Sequence, residues 1–473
     1  MVFRLENAIE LPFGFIGLTI SSNFAVYKIE IDMKNLIITL LLLSSIYAKA
    51  QDTEPIKGSV MWSLRESINY ALDNNIQVKK TVLDQQTSEA NLSQQKYNRL
   101  PSVSASAGLN FSNGNSIDPI TSNFINQSII SNSYGVASQI TLYQGNKLNL
   151  QIEQNELLVN QSELYQQQAE NNIVLDVIQN YLQSLYYAEG ITIAQNALET
   201  AEEEMQQAQI KYNNGAIAQL ELADLKTQFA AAQYAVISAK NQYDQQVLKL
   251  KQLLELDPDV DFQIQPVALS EMQSVIPDKQ IVFEAATNFL PDLKLYDVQG
   301  EILEKELSIS KAGYKPTLSL SAGLSSGYTN SLDYSYNTQL RNNFSPQAGL
   351  TLSIPIFSKN QNKTNVALTK IEIEQNKLDK IAVGKSLYSN IETAWQNAIA
   401  NQAQQESAKV ARDNAELSYE LARKKFEYGS LTATELTVSR SNFLNAEQTL
   451  LQTEYLTALY TALLNFYQGN QNY

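Results

Sequence analysis

The sequence predicts an α+β membrane protein made of one unit used twice, each unit joining two amphipathic β-strands to long coiled-coil helices. Three observations predict it. The first is a repeat. Lys211-Tyr212-Asn213-Asn214-Gly215-Ala216-Ile217 returns as Lys425-Phe426-Glu427-Tyr428-Gly429-Ser430-Leu431, with the glycines 214 residues apart. Pro101–Leu109 returns as Pro316–Leu324 at an offset of 215, and Thr141-Leu142-Tyr143 as Pro355-Ile356-Phe357 at 214. That period is far too long for a solenoid unit, so it marks a duplicated half-protein. The second is strict alternation of apolar with small polar residues after each of the two prolines. The third is a run over 146–213 with no proline and no glycine but Gly190.

Bulk properties narrow the function classes. The 473-residue chain carries a net charge of −15, with a pI near 4.7. Such a surface repels phosphate backbones, so no nucleic acid partner is expected. Cys and His are both absent. Thiolate and imidazole are therefore unavailable for catalysis or metal binding, and no cofactor or metal is expected. No Ser, Lys or carboxylate cluster sits in a glycine-rich loop or nucleophile elbow, which argues against an enzyme.

Taken in order, the elements begin with a targeting signal. Met33-Lys34-Asn35 opens an apolar run, Leu36 to Ile46, that ends at Ala48-Lys49-Ala50. A charged start, a short apolar core and an A-x-A site describe a signal peptide over 33–50. Residues 1–32 are then an upstream start artefact, and Gln51 is the mature N-terminus. No later stretch approaches 18 consecutive apolar residues, so any membrane contact must be made by β-strands.

The first repeat is placed over 51–260. A helix is predicted from about Trp62 to Asn98. Pro101 cannot continue it and marks the change to a strand over about 101–112. A Ser/Asn-rich loop over 113–130 leads to a second strand over 133–143. In the first strand Val103, Ala105, Ala107, Leu109 and Phe111 share a face. In the second, Tyr134, Val136, Ser138, Ile140 and Leu142 do so.

A helical hairpin follows over 146–255. Its outgoing helix carries a seam at Val174, Ile178, Tyr181, Leu185 and Ala188, continued at Ala194, Leu198, Ala201, Met205, Ala208 and Tyr212. At 1.5 Å per residue it would be about 100 Å long. Gly215 suits the helix C-cap. The returning helix, from about Gln219 to Glu255, keeps heptads at Leu222, Phe229, Val236, Tyr243 and Leu250. The second repeat, 261–473, holds a helix over about 279–311, strands over 316–328 and 345–357, and a hairpin over 360–468. Its returning helix keeps the register at Leu436, Phe443, Leu450, Thr457 and Leu464.

Four strands cannot close a barrel, because the smallest membrane barrels have about eight. Open edges in lipid leave unsatisfied backbone groups at several kcal/mol each, so the chain must assemble. A dimer gives eight strands around a plugged interior, and a trimer gives twelve with room for a lumen. The inward Ser, Thr, Gly and Asn suit a wet lumen better.

With these features the chain resembles the TolC family of outer-membrane efflux and secretion channels, over about residues 60–470. The resemblance rests on the duplication, the signal peptide, the strand pairs after a proline and the aromatic-x-x-Gly turns between long helices. It implies a homotrimer with a 12-stranded β-barrel in outer-membrane lipid, continued by a periplasmic α-helical barrel. A mixed belt would be built from about 256–278 and the termini. It implies as partners a periplasmic adaptor (membrane fusion) protein and, through it, an inner-membrane pump. The adaptor contact would fall on the tips, Gly215, Ala216 and Ile217 with Gly429, Ser430 and Leu431. The family tends to place an acid six residues after each glycine, lining or locking the closed tip. Glu221 and Glu435 stand there, and Asp224 matches a further acid in the first half only. Val438 departs from it in the second, and Leu431 stands where the family has a basic partner. A ring of such acids would favour cations. The alternative is a solvated first turn, where carboxylates suit the helix dipole.

Phe111, Tyr134, Tyr143, Tyr328 and Phe357, at strand ends, fit a membrane-interface belt. The rival to an exit duct is a structural periplasmic coiled-coil or adhesin-like protein without a transport role. That rival leaves the duplicated amphipathic strands unexplained.

Overall fold

The structure is a computed structural model that describes residues 60–117, 124–269 and 275–470. The expected signal peptide and start site lie outside these residues. In chain order the elements are β1 (Val60–Trp62), α1 (Leu64–Asn74), α2 (Ile76–Tyr97), β2 (Ser102–Ile117), β3 (Phe124–Gln144), α3 (Lys147–Asn213) and α4 (Gln219–Leu253). They continue with β4 (Phe262–Ile264), α5 (Lys279–Phe289), α6 (Pro291–Ala312), β5 (Thr317–Thr329), α7 (Tyr336–Asn342), β6 (Ser345–Ser353), α8 (Gln361–Glu427) and α9 (Ala433–Tyr467). The two outgoing helices have 67 residues each and the two returning helices 35 each. At 1.5 Å per residue the longer pair measures about 100 Å. No helix among the described residues is long and apolar enough to cross a membrane.

The periodicity over 62–98 and 279–311 predicts one helix in each stretch, but the structure has two. The first break is at Asn75, whose side chain accepts from the Gln77 N–H at 2.8 Å and donates to the Leu253 carbonyl at 2.9 Å. A buried Asn that caps one helix while pinning another competes with continuous helix. The second break, at Leu290, precedes Pro291 in the first turn of α6. Proline disfavours helical backbone at the residue before it.

The membrane-type sheet has the order β2-β3-β5-β6, antiparallel throughout. Directly opposed residues share a face, so the register decides amphipathicity. Val103, Ala105, Ala107 and Leu109 oppose Ser138, Val136, Tyr134 and Asn132. Val136 and Ile140 oppose Leu324 and Leu320, which in turn oppose Pro346 and Leu350. One face is therefore mainly apolar across all four strands. The other carries Ser, Thr, Gly, Asn and Gln, and none of the four strands contains Asp, Glu, Lys or Arg.

Three details depart from the sequence pattern. Alternation puts Leu142 on the apolar face, but the register shifts between Thr141 and Tyr143, and Tyr143 opposes Leu318. Leu142 is the extra residue of a β-bulge, and the bulge brings Tyr143 onto the apolar side. The predicted loop over 113–130 is largely ladder, paired out to Ile117 opposite Phe124. In that two-stranded ribbon Ser112, Asn113, Gly114 and Asn115 pair with Ile129, Ser128, Gln127 and Asn126. At the other end β6 stops at Ser353 and not at 357, because Pro355 offers no N–H to a ladder.

Beyond the start of β6, α7 covers the edge of β5. The buried Gln339 amide accepts from the Thr329 N–H and donates to its carbonyl, both at 2.9 Å. A side-chain amide thus continues the ladder where the strand ends.

The largest core joins β1, β4, α1 and the middle of α3 to the ends of α4 and α9. Tyr181 is buried there and donates to the Trp62 carbonyl at 3.0 Å. Burial pushes its hydroxyl up to about 12. This belt fixes the roots of both hairpins, and the turns lie at the far ends.

Candidate functional site

Each turn closes in the same way. The Gly215 N–H donates to the Tyr212 carbonyl at 2.9 Å, and that of Ala216 to Lys211 at 2.8 Å. The Gly429 and Ser430 N–H groups repeat the pair onto Phe426 and Lys425 at 3.1 and 2.9 Å. This is the Schellman arrangement, which needs left-handed backbone at the glycine. Gly215 has φ +72° and Gly429 φ +73°. A Cβ at either would meet nothing within 4 Å, so backbone conformation alone requires glycine there.

The structure brings the two turns together. Ala208, Leu222 and Leu225 of the first hairpin pack with Tyr419, Phe426, Ala433 and Leu436 of the second, and Ile217 and Leu431 close the cluster. Leu431, where the resembled family has a basic residue, is part of this apolar contact. Beside it runs a groove of about 470 Å³ with Glu221 and Glu435 on its walls, next to Ala216, Ile217, Gly429 and Ser430. Asp224 does not line it.

The two repeat-related acids are placed differently. Glu435 closes a capping box with Thr432. Its carboxylate accepts from the Thr432 N–H at 3.0 Å and hydroxyl at 2.7 Å, and its own N–H donates to that hydroxyl at 3.3 Å. These bonds, the backbone one first, hold the Glu435 carboxyl below its ordinary range. In the first half Ala218 takes the capping position and makes no side-chain bond. Glu221 is thus free of any cap.

Sequence reasoning missed two features. Lys211 crosses between the hairpins. Its amine donates to the Phe426 carbonyl and lies 4.3 Å from the centre of that ring. Burial lowers its affinity for the proton, while Glu427 and Glu221 oppose the shift. The repeated Lys211 and Lys425 were the available signal. The second feature is a buried polar cluster. Glu204 of α3 accepts from the Tyr419 hydroxyl of α8 at 2.6 Å and the Arg440 guanidinium of α9 at 2.8 Å. Arg440 also donates to Gln228 of α4 at 3.0 Å. Glu204 is 1% exposed and Arg440 5%. Burial is the leading influence on Glu204 and raises its carboxyl, which Tyr419 and Arg440 only partly reverse. Arg440 is the sole basic residue of α9, and that isolation was the visible clue.

At the sheet, Phe111, Tyr134 and Tyr328 lie on the apolar face near one end. The Tyr134 and Tyr336 hydroxyls are 2.8 Å apart, and the Tyr328 and Tyr336 rings 5.0 Å. Tyr143 lies at the other end of the sheet, with Phe357 past the end of β6, and both are exposed. Nine residues of strand from Tyr134 to Tyr143 span about 30 Å. At a tilt of about 40° that is a height of about 23 Å, close to the apolar band of outer-membrane barrels.

The family model described as "Outer membrane efflux protein" matches residues 67–255 and 289–468. A Salmonella typhimurium protein described as "Probable outer membrane lipoprotein SilC" is 22% identical over 170 residues. That match covers 35% of this chain and 35% of that protein. The chain is similar in structure to the Campylobacter jejuni CmeC outer membrane channel, with a TM-score of 0.73 and 18% identity, covering 86% of each chain. It is also similar to the Vibrio cholerae outer membrane protein VceC, with a TM-score of 0.71 and 13% identity, over 86% of this chain and 96% of that one. At such identities the structural likeness is one of fold.

Proposed function

The chain belongs to the outer membrane efflux protein family, and from that premise we propose that it is the passive exit duct of a tripartite efflux or type I secretion assembly. Its place is the outer membrane with an extension into the periplasm, and it is a channel protein, not an enzyme. One observation carries the duct reading. A sheet apolar on one face and uncharged polar on the other continues directly into helices of 67 residues.

The two free edges, β2 and β6, are unsatisfied in lipid unless neighbouring copies pair them. Three copies give a 12-stranded barrel with the polar faces inward, and their hairpins give a helical barrel of six. The repeats meet near 260 and 261, and the mature chain begins at Gln51. N-terminal sequencing of protein from outer membranes checks that start, and a retained 1–32 segment contradicts it. The aromatic residues mark the two membrane surfaces. The tips, Gly215 to Ile217 and Gly429 to Leu431, receive the helical hairpins of an adaptor that leads to an inner-membrane pump. A reading as a spacer or adhesin without transport gives the lipid-type sheet no role.

With uncharged strands, charge discrimination falls to the tip. Glu221, Asp224 and Glu435, present three times each, form a cation-favouring constriction. The test is single-channel recording in planar bilayers of the variant Glu221→Gln, Asp224→Asn, Glu435→Gln. Cation preference is expected to fall, most clearly at low salt where screening is weak. Unchanged selectivity means the acids face away from the path. A photo-cross-linker at Ala216 or Ser430 in cells is expected to capture the adaptor, and capture of none contradicts tip docking.

A further inference from the structure

The sheet carries the short helix α7 at its loop end, the end remote from the long helices. The contacts of α7 fix which face it covers. Its Tyr336 hydroxyl is 2.8 Å from that of Tyr134, and the Tyr336 and Tyr328 rings are 5.0 Å apart. The Ser326 hydroxyl donates to the Leu340 carbonyl at 2.7 Å. Ser326 opposes Tyr134, and both share a face with Val136 and Leu324. That is the apolar face, the one a barrel turns to lipid. So α7 lies outside the lumen, at the aromatic level of Phe111, Tyr134 and Tyr328.

Helix periodicity fixes what α7 presents outward. Tyr336 and Gln339 reach the sheet, and so does Asn343 just past the helix, whose amide donates to the Gly327 carbonyl at 2.8 Å. At about 100° per residue, Arg341 falls on the opposite side, with Asn337 and Thr338. Arg341 and Asn337 are exposed. Among the described residues the Arg341 guanidinium makes no hydrogen bond or ion pair, and none joins it to Asp333 in the loop before α7.

Charge is scarce at this end. The described strands and their connections, 102–117, 124–144 and 317–353, hold only two charged residues, Asp333 and Arg341. Leu332, Tyr334 and Phe344 flank α7 and are exposed. Exposed aromatic and aliphatic side chains beside an unpaired arginine suit a segment lying at a membrane surface. Arginine on the lipid side of a barrel is costly in mid-membrane and close to neutral at the surface. What it meets there is headgroup phosphate, which its planar fork can hold by two parallel bonds.

We propose that α7 and its flanks form a lipid-anchoring site, in which Arg341 binds the phosphate of an outer-leaflet lipid. Leu332, Tyr334 and Phe344 pack at the boundary between headgroups and acyl chains. The inference rests on the reading of the sheet as part of a barrel with its apolar face in lipid. It supplies what the uncharged strands lack, a charged contact that fixes the depth of the barrel in the bilayer.

The test uses the full-length protein, delipidated in detergent, with native mass spectrometry to count retained lipid. Diphosphoryl lipid A is titrated against wild type, Arg341→Gln and Arg341→Lys. Wild type is expected to bind one lipid per protomer. Arg341→Gln should weaken binding by about tenfold, the weight of one charge-assisted hydrogen bond, and Arg341→Lys should keep most of it. Lipid A stripped of phosphate should bind wild type as weakly as intact lipid A binds Arg341→Gln. Equal binding by wild type and Arg341→Gln, or no loss on removing the phosphates, overturns the inference. So does displacement by excess inorganic phosphate, which marks a site for the free ion. Position is read separately in vesicles of lipid A and phosphatidylethanolamine. A nitroxide on the lipid headgroup is expected to quench Tyr334→Trp beyond the background of Trp62 and Trp395 in the parent protein. No added quenching overturns the inference. A trimer without phosphate-dependent lipid binding fails the lipid site alone. A stable monomer whose Tyr334→Trp is still quenched fails the duct reading and leaves the lipid site standing.

Discussion

At the scale of single residues, the turns and the buried cluster make opposite demands. Gly215 and Gly429 have open space around them and are fixed only by φ. Gly215→Ala and Gly429→Ala should each cost about 1 kcal/mol through left-handed backbone strain, with no steric clash. Hydrogen exchange at the neighbouring helix ends measures it, and an unchanged opening free energy contradicts the turn geometry. Arg440→Ala should cost more, about 3–5 kcal/mol, because Glu204 stays buried without its cation. Denaturant unfolding followed by helix content reads the difference.

Glu435 adds a pH dependence. Its carboxyl is depressed by the Thr432 bonds, so its capping contribution is complete above the ordinary value of 4.5 and is lost as pH falls through the lower folded value. Amide exchange in the first turn of α9, compared with Glu435→Ala at each pH, should show protection that disappears on acidification. Protection that grows on acidification contradicts the capping box. The turn glycines were legible in the sequence because the repeat displays them twice. Glu204 was not, because the run Glu202-Glu203-Glu204 looks like a solvated face until the partner helix is in place.

At the scale of elements, the long helices, with no proline and one glycine in each outgoing member, and the strands with period two were legible because each signal is local. The exceptions are places where a tertiary partner decides. Asn75 ends a helix because it reaches the Leu253 carbonyl, a contact 178 residues away in sequence. The bulge at Leu142 is invisible in the alternation, since only the partner strand reveals the extra residue. Deleting Leu142 should therefore remove the bulge and place Tyr143 directly after Thr141, on the apolar face and still opposite Leu318. The expected result is a sheet that forms and assembles, seen as undiminished heat-resistant oligomer on gels. Loss of that oligomer would contradict the assignment of Leu142 as the extra residue.

At the scale of the whole molecule, four strands with two unpaired edges have no stable place in lipid as a monomer. In the proposed assembly, closure by copies would supply the missing partners and at the same time create a lumen lined by Ser, Thr, Gly, Asn and Gln. The number of copies is not written in any one element. The proposal of three rests on the strand count, the polar second face and the size of barrel that leaves a passage. Native mass spectrometry of the protein extracted from outer membranes in detergent tests this most directly. A species of three times the protomer mass that persists on dilution is expected. A stable monomer or dimer that still conducts ions would contradict it.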